Sequence, residues 1–487
     1  DGAVYSPAAA RLFGGRASEL NTETAPATTE ATAQAEVAHD PAPLVQGSLW
    51  HAIWVMSWPL VITTISTSLV GMVDVQVAGL LGAPIQAAVG LSEHVLFIFM
   101  VFLMSIGSGT TAIVSRHFGE GNLKATTAAT AQSLLIAVVA GLILLAMSLS
   151  LSPLLMPFFS NSAEVQKSGL QYLSIFSWYL IPFSVSCIIN AAFRAIGDSK
   201  TPLLIVATQC VINITGNYLT VVAQWPVSGL GIMGIAWSAV AGAAVSCLLA
   251  IFLLCRSPLS SSLTQILPFS KKIQMKVLKI GLPTACQRLG WAASVLVVFS
   301  ILKLVKEPTA ALAAWTIGMR VEGMLFMPLM ALSLAVSSIV GQNLGAKRED
   351  RAMKAGWDVT MIGVGMMFLL GIALFCFSEQ IAAFMSHDNQ TRILTAEYLR
   401  INAMGEPFLA VAMILSGALQ GAGQTRLPMW VSIFTNWVIR LPLAWFLAIF
   451  LGIGTAGVWW AMSASFVIYA FMMAWYYKKG DWTKTKL

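Results

Sequence analysis

Long apolar blocks, each closed by a short polar joint, run through this chain from about residue 49 to residue 477. The blocks hold roughly 20 or more residues, the length an α-helix needs to cross the hydrocarbon of a bilayer. Twelve can be drawn: 49–79, 87–114, 126–156, 166–193, 202–222, 229–255, 280–302, 310–340, 355–377, 395–419, 427–450 and 457–477. The pattern predicts an all-α polytopic membrane protein with twelve transmembrane helices. Several blocks exceed the minimum, so tilt or helical extension past the lipid is expected. Residues 1–45 differ, being rich in Ala, Thr, Glu and Pro. They carry too little apolar surface to offset the entropy of ordering, and a disordered N-terminal tail is predicted. They lack the long apolar core of a signal peptide; a transit segment ahead of the membrane domain is the alternative.

The joints carry a second pattern. SGTTAIVSRHFGEGN, ending its helix at Gly119, returns as AVSSIVGQNLGAKRE, ending at Gly345, a shift of 226 positions. The same shift carries NAAFRAIGDSKTP onto SGALQGAGQTRLP, so that Gly197 meets Gly423, Lys200 meets Arg426 and Pro202 meets Pro428. One offset over more than a hundred residues reads as a duplicated bundle. Residues 46–256 form the first six-helix bundle and 280–478 the second, with a linker at 257–279 and a tail at 479–487. Six spans separate equivalent positions, so the halves are parallel repeats related by an axis along the membrane normal.

Charge orients the bundle. An even span count puts both termini on one side. The joints on that side hold Arg116, Lys124, Arg194, Lys200, Lys347, Arg348, Arg351, Lys354 and Arg426, besides the basic linker with Lys271, Lys272 and Lys276. The other side holds little more than Lys167, Lys303, Lys306 and Arg392. The positive-inside rule then predicts cytoplasmic termini.

Composition narrows the function. The chain is 57% hydrophobic and 10% charged, whereas a soluble domain carries about 25% charged residues. The net charge of +7 comes from the joints, so it argues for topology and against a nucleic-acid partner. All six Cys lie in apolar stretches without a CxxC pair, so neither a disulfide framework nor a metal site is expected. No GxxxxGK[ST] loop is present, so energy must come from an ion gradient and not from a nucleotide. No HxxH or DxxD cluster points to an enzyme. Two parallel repeats in a bilayer are the material of an alternating-access transporter.

Asp74 is the sharpest candidate. A carboxylate inside a membrane is costly and marks ion or proton handling; a cap near the surface is the plainer reading. Asn213 and Asn217 lie four apart, on one face of the fifth span. Facing Asp74, their amides offer donors and acceptors without charge, or simple interhelical hydrogen bonds. Asn190, Thr215 and Tyr218 are weaker members of the same group. Glu322 on span eight is a second intramembrane acid. Arg320, two residues earlier, does not share its helix face. Gln287, Arg288 and Arg440 are polar positions of the second half. The two arginines read first as structural neutralisers of Glu322 or Glu406, and otherwise as holders of an anionic substrate. Glu93 and His94 read as a surface pair near the end of span two. Met324, Met327 and Met330 recur three apart and fit an adaptable pocket wall or ordinary helix packing. Pro59, Pro182, Pro283 and Pro442 interrupt helices and permit kinks.

GMVDVQVAGLLG at 71–82, VSRHFGEGN at 114–122, FRAIGDSKTP at 193–202 and the echo IVGQNLGAKR together resemble the multidrug and toxic compound extrusion (MATE) family, across about residues 48–478. The resemblance implies two six-helix bundles facing each other in a V. It implies export of organic cations, drugs or amphipathic metabolites in exchange for H+ or Na+, with Asp74 as the coupling residue and the Asn213–Asn217 pair beside it. Some members have Asp where this chain has Asn217. Glu322 resembles the span-eight acid of the DinF-like branch. The NorM-like branch fits less well, because the span-seven equivalent falls near Trp291 and no acid lies between Phe408 and Gln420. The ion-coupling set is therefore Asp74, Asn213, Asn217 and Glu322, and the substrate-binding set is Asn190, Gln287, Met324, Met327 and Tyr218. A lone carboxylate suffices for a proton, whereas Na+ needs several oxygen ligands; H+ is favoured and Na+ is the alternative. No cofactor is expected. The expected partners are small amphipathic or cationic substrates and membrane lipids. The expected molecule is a monomer in the plasma membrane (the inner membrane of a bacterium). A flippase for a lipid or cell-wall intermediate is the competing function.

Overall fold

A computed structural model describes residues 44–225, 229–265 and 269–485. The tail expected at 1–45 therefore lies, up to residue 43, outside the described residues. Twelve helices are long and apolar enough to cross a membrane. They are α1 (Leu49–Leu80), α2 (Ala83–Gly119), α3 (Leu123–Phe158), α4 (Ala163–Ala195), α5 (Lys200–Val222) and α6 (Ile232–Cys255) in the first half. The second half holds α7 (Lys271–Leu302), α8 (Pro308–Gly345), α9 (Glu349–Met385), α10 (Asn389–Gly421), α11 (Arg426–Phe450) and α12 (Thr455–Lys479). The expected number of spans is present, and many run longer than their apolar blocks. Helix α8, with 38 residues, is about 57 Å long at 1.5 Å per residue, so it must tilt or project beyond a hydrocarbon core of about 30 Å. Helix α7 starts at Lys271, which places Lys271, Lys272 and Lys276 on its first turns.

The duplication is legible in the turns. The Asn122 amide bonds back to the His117 carbonyl at 3.0 Å, and the Arg348 amide to Asn343 at 2.8 Å. The Asp198 amide reaches Phe193, and the Gln424 amide Leu419, both at 2.9 Å. Each pair is related by the 226-residue shift, and each closes a helix C-terminus with a bond across five residues. The turn after α2 needs positive φ and has Gly121 at +75°; its equivalent after α8 is Lys347 at +57°.

Prolines shape the helices differently. Pro182 cannot bond to the Trp178 carbonyl, and α4 tightens into a 3₁₀ turn at Ser177–Tyr179. Pro442 cannot bond to Val438, which lies in a π-helical stretch at Phe434–Arg440. Pro59 frees the Val55 carbonyl within a continuous α1, and the Ser199 hydroxyl donates to it at 2.8 Å.

The halves interlock at the end that carries Arg116, Arg194 and Lys347, here called the basic end. One face of the start of α1, with Leu49, Ala52, Ile53, Met56 and Leu60, is buried among α8, α9, α10 and α12. Reciprocally, Val277 and Ile280 of α7 enter the core of the first half. Helices α2 and α8 cross with almost no side chain between them. A Cβ on Gly119 would overlap the Gln342 carbonyl, and one on Gly345 the Arg116 carbonyl. Gly119 and Gly345 are equivalents under the repeat, and so are Arg116 and Gln342. The contact is thus self-complementary, as a two-fold axis requires. The Gln342 amide adds a 2.7 Å bond across the halves to the Ala195 carbonyl.

Candidate functional site

The first-half site forms where α1 meets α5. Gly216 and Gly242 permit close approach of α5 and α6, since a Cβ on either would press on Ser238 or on Gln209 and Asn213. This fixes one face of α5 toward α1. The Asn217 amide donates to Asp74 Oδ1 at 2.5 Å and to Asn213 Oδ1 at 3.1 Å. Asp74 is 5% exposed, Asn213 3% and Asn217 0%. The carboxylate accepts from Asn217 and has the Asn213 amide close by, while the Asn217 carbonyl oxygen has no partner among the described residues. A carboxylate so placed is neutralised by a single proton. Just beyond it, the last turn of α5 is π-helical, Tyr218–Val222, a distortion frequent at functional positions.

The second-half site lies among α8, α10, α11 and α12. Glu322, Glu406, Tyr398 and Arg440 are all buried. The Arg440 Nε donates to Ser465 Oγ at 2.8 Å, and its guanidinium lies 5.0 Å above the Phe466 ring. Glu322 and Arg440 line one narrow cavity with Trp291, Trp315, Phe326 and Phe466. Trp315, Tyr398 and Trp459 pack on one another behind it, at centroid separations of 4.7–5.9 Å. Both Glu406 oxygens, Glu322 Oε1, the Tyr398 hydroxyl and the Trp459 indole N–H lack hydrogen-bond partners among the described residues. Buried polar groups are rarely left so, which makes this cluster around two carboxyls a candidate site.

The predicted residues sort into three groups. Asp74, Asn213 and Asn217 are brought together. Glu322 stands in a separate site, with Arg440 as a neighbour. The others join neither cluster by a hydrogen bond: Asn190 is buried with its Oδ1 unpartnered, Gln287 donates to the Tyr469 hydroxyl at 3.1 Å, and Met324 and Tyr218 are 60% and 58% exposed. Met327 offers its carbonyl to the Thr64 hydroxyl at 3.2 Å, across the α1–α8 seam. Glu93 and His94 are not an ion pair: the His94 ring bonds to the Gly90 carbonyl at 2.7 Å, and Glu93 turns partly inward. Sequence reasoning passed over Glu406 as a site residue. The available signal was an acid directly before Pro407 in an apolar span.

A family model described as MatE matches residues 59–219 and 283–446, once in each half. The chain is 26% identical to a probable multidrug resistance protein NorM of Thermotoga maritima over 420 residues, 85% of this chain and 89% of that one. It is 24% identical over 441 residues to the probable multidrug resistance protein YoeA of Bacillus subtilis, 88% of this chain and 94% of that one. Among solved structures, a MOP superfamily transporter from Pyrococcus furiosus, described as having a binding pocket of reverse polarity, superposes with a TM-score of 0.83 at 19% identity. That match covers 92% of this chain and 99% of the other. An outward-facing multidrug resistance MATE family transporter matches at 0.83 and 18%, covering 90% and 97%. These findings correct one expectation: relatives in Thermotoga, Rhodopseudomonas and Bacillus bear the NorM name, so the placement nearer the DinF-like branch does not hold. The buried acid of that span, Glu406, lies two residues before the acid-free stretch that begins at Phe408.

Proposed function

Because the chain belongs to the MatE family of transporters, we propose that it is a secondary active antiporter. It exports small amphipathic drugs or metabolites, organic cations among them, in exchange for H+ by alternating access. The observation that carries this reading is the buried Asp74 carboxylate held by Asn217 and Asn213. An intramembrane acid held by neutral amides is neutralised by a single proton, whereas Na+ would need several more oxygens. Glu322 and Glu406 form a second acidic locus, where Arg440 offsets part of the charge. The protein sits in the plasma membrane as a monomer, with the basic end in the cytoplasm. The halves are interlocked at that end. Reconstituted vesicles test the proposal. With an imposed pH gradient and no Na+, ethidium should be driven against its concentration gradient. If an inward Na+ gradient alone drives it, and K+ does not substitute, the proton assignment fails.

A further inference from the structure

The two arginines that sequence reasoning treated alike have different surroundings. Arg440 shares a cavity with Glu322, although not at ion-pair distance. Arg288 has no carboxylate within ion-pair distance among the described residues, whose ion pairs are His117–Glu120, Arg400–Glu379 and Lys479–Asp481. Its one polar contact is 4.0 Å, from Nη1 to the thioether of Met104.

Position makes this guanidinium unusual. On α7, Val277 and Gly281 press their faces onto α2: a Cβ on Gly109 would overlap the Val277 carbonyl, and one on Gly281 would lie 2.5 Å from the Ser105 carbonyl. Arg288 follows Gly281 by seven residues, so it projects from the same face two turns farther from the basic end. It therefore stands at the margin of the tight α2–α7 seam, near the middle of a 32-residue helix, and is partly exposed. Packing of the repeat does not demand a charge there, since the equivalent residue on α1 is Ile62. On α4, which also packs on α2, Arg194 is a second cation whose Nε is buried without a partner. Its helix contacts the same stretch of α2, with Cys187 Sγ donating to the Leu103 carbonyl at 3.8 Å.

A charged side chain at membrane depth without a counter-charge is a candidate functional group, and one partner that would satisfy it is an anionic ligand. The planar guanidinium fork matches a carboxylate in two-point contact. We propose that Arg288 is an anion-binding residue between the halves, which takes the carboxylate of an amphipathic substrate. This rests on the reading of the chain as a transporter and adds the substrate class: organic carboxylates, zwitterions included, alongside cations.

The test is equilibrium binding, which needs no gradient. Naphthaleneacetate and its methyl ester, equal in apolar body and different in charge, are titrated calorimetrically into the full chain in nanodiscs. The acid should bind about tenfold or more tightly than the ester. Arg288→Met should remove that preference while leaving ester binding in place, which also certifies the fold; Arg288→Lys should retain part of it. Equal binding of acid and ester by the unaltered protein overturns the proposal without any variant, as does an undiminished preference in Arg288→Met. Proton-driven ethidium export by the same purified protein reconstituted into sealed vesicles reads the transporter assignment separately, so the two can fail independently.

Discussion

The crossing of α2 and α8 yields a prediction with a sign that elementary helix propensity gets wrong. Alanine in place of glycine within a helix is ordinarily favourable by about 1 kcal/mol. At Gly119, however, an added Cβ would sit 2.8 Å from both Cα and C of Gln342, and at Gly345 it would sit 3.0 Å from the Arg116 carbonyl carbon and the Glu120 amide. The obstacles are backbone atoms and cannot rotate away, so the helices must separate. Overpacking of this kind costs about 1–3 kcal/mol. Subtracting the helix gain leaves about 0–2 kcal/mol per site, a shift of up to roughly 30-fold in an equilibrium. The cost falls only on the state in which the basic end is closed. Gly119→Ala with Gly345→Ala should therefore open that end. Nitroxides at Lys124 and Lys347 report it by pulsed electron paramagnetic resonance as a gain in the longer-distance population. Gly323→Ala and Gly365→Ala, where nothing lies within 4 Å of the new Cβ, should leave the distances unchanged. An unaltered distribution in the double variant, or an equal shift in the controls, would refute the reasoning.

Asp74→Asn should abolish gradient-driven ethidium export while leaving expression and thermal stability near those of the parent; undiminished export under a saturating gradient would remove Asp74 from the mechanism. Asn217→Ala deprives that carboxylate of the Asn217 hydrogen bond and should slow export by about tenfold, since a hydrogen bond to a charged group is worth about 1.5–3 kcal/mol; vesicle initial rates measure it. Glu406→Gln should impair transport without loss of fold, and parent-like export kinetics would make Glu406 structural. Lys347→Gly relieves a left-handed residue that costs roughly 1–2 kcal/mol and should raise the melting temperature, whereas no gain would mean that the Lys side chain offsets the strain.

Much of this was open to sequence reasoning for a physical reason. Hydrocarbon requires each span to satisfy its own backbone groups, which a helix does within one segment, so apolar block length reports each span directly. Amide spacing likewise reported the Asn213–Asn217 face, because helical periodicity is local. Burial of Glu406 and isolation of Arg288 were not legible, because they depend on which helices flank α10 and α7. The π-helical stretch ending at Arg440 was hidden too: Pro442 announces a distortion, but its type is set by packing against α12.

The duplication separates framework from chemistry. Positions that obey the 226-residue shift are those where backbones meet or turn: Gly119 with Gly345, Gly197 with Gly423, His117 with Asn343 as turn acceptors. Positions bearing charge at membrane depth do not obey it. Asp74 has Ser300 as its equivalent, Glu322 has Leu96, Glu406 has Leu180, Arg440 has Ile214 and Arg288 has Ile62. A two-fold contact requires matched residues on both sides of its axis, which binds the glycines to each other in sequence. No such requirement binds a site enclosed within one half. The halves can therefore move as a symmetric pair about one crossing while each holds a different ligand, an acid–amide group in the first and an acid–arginine group in the second.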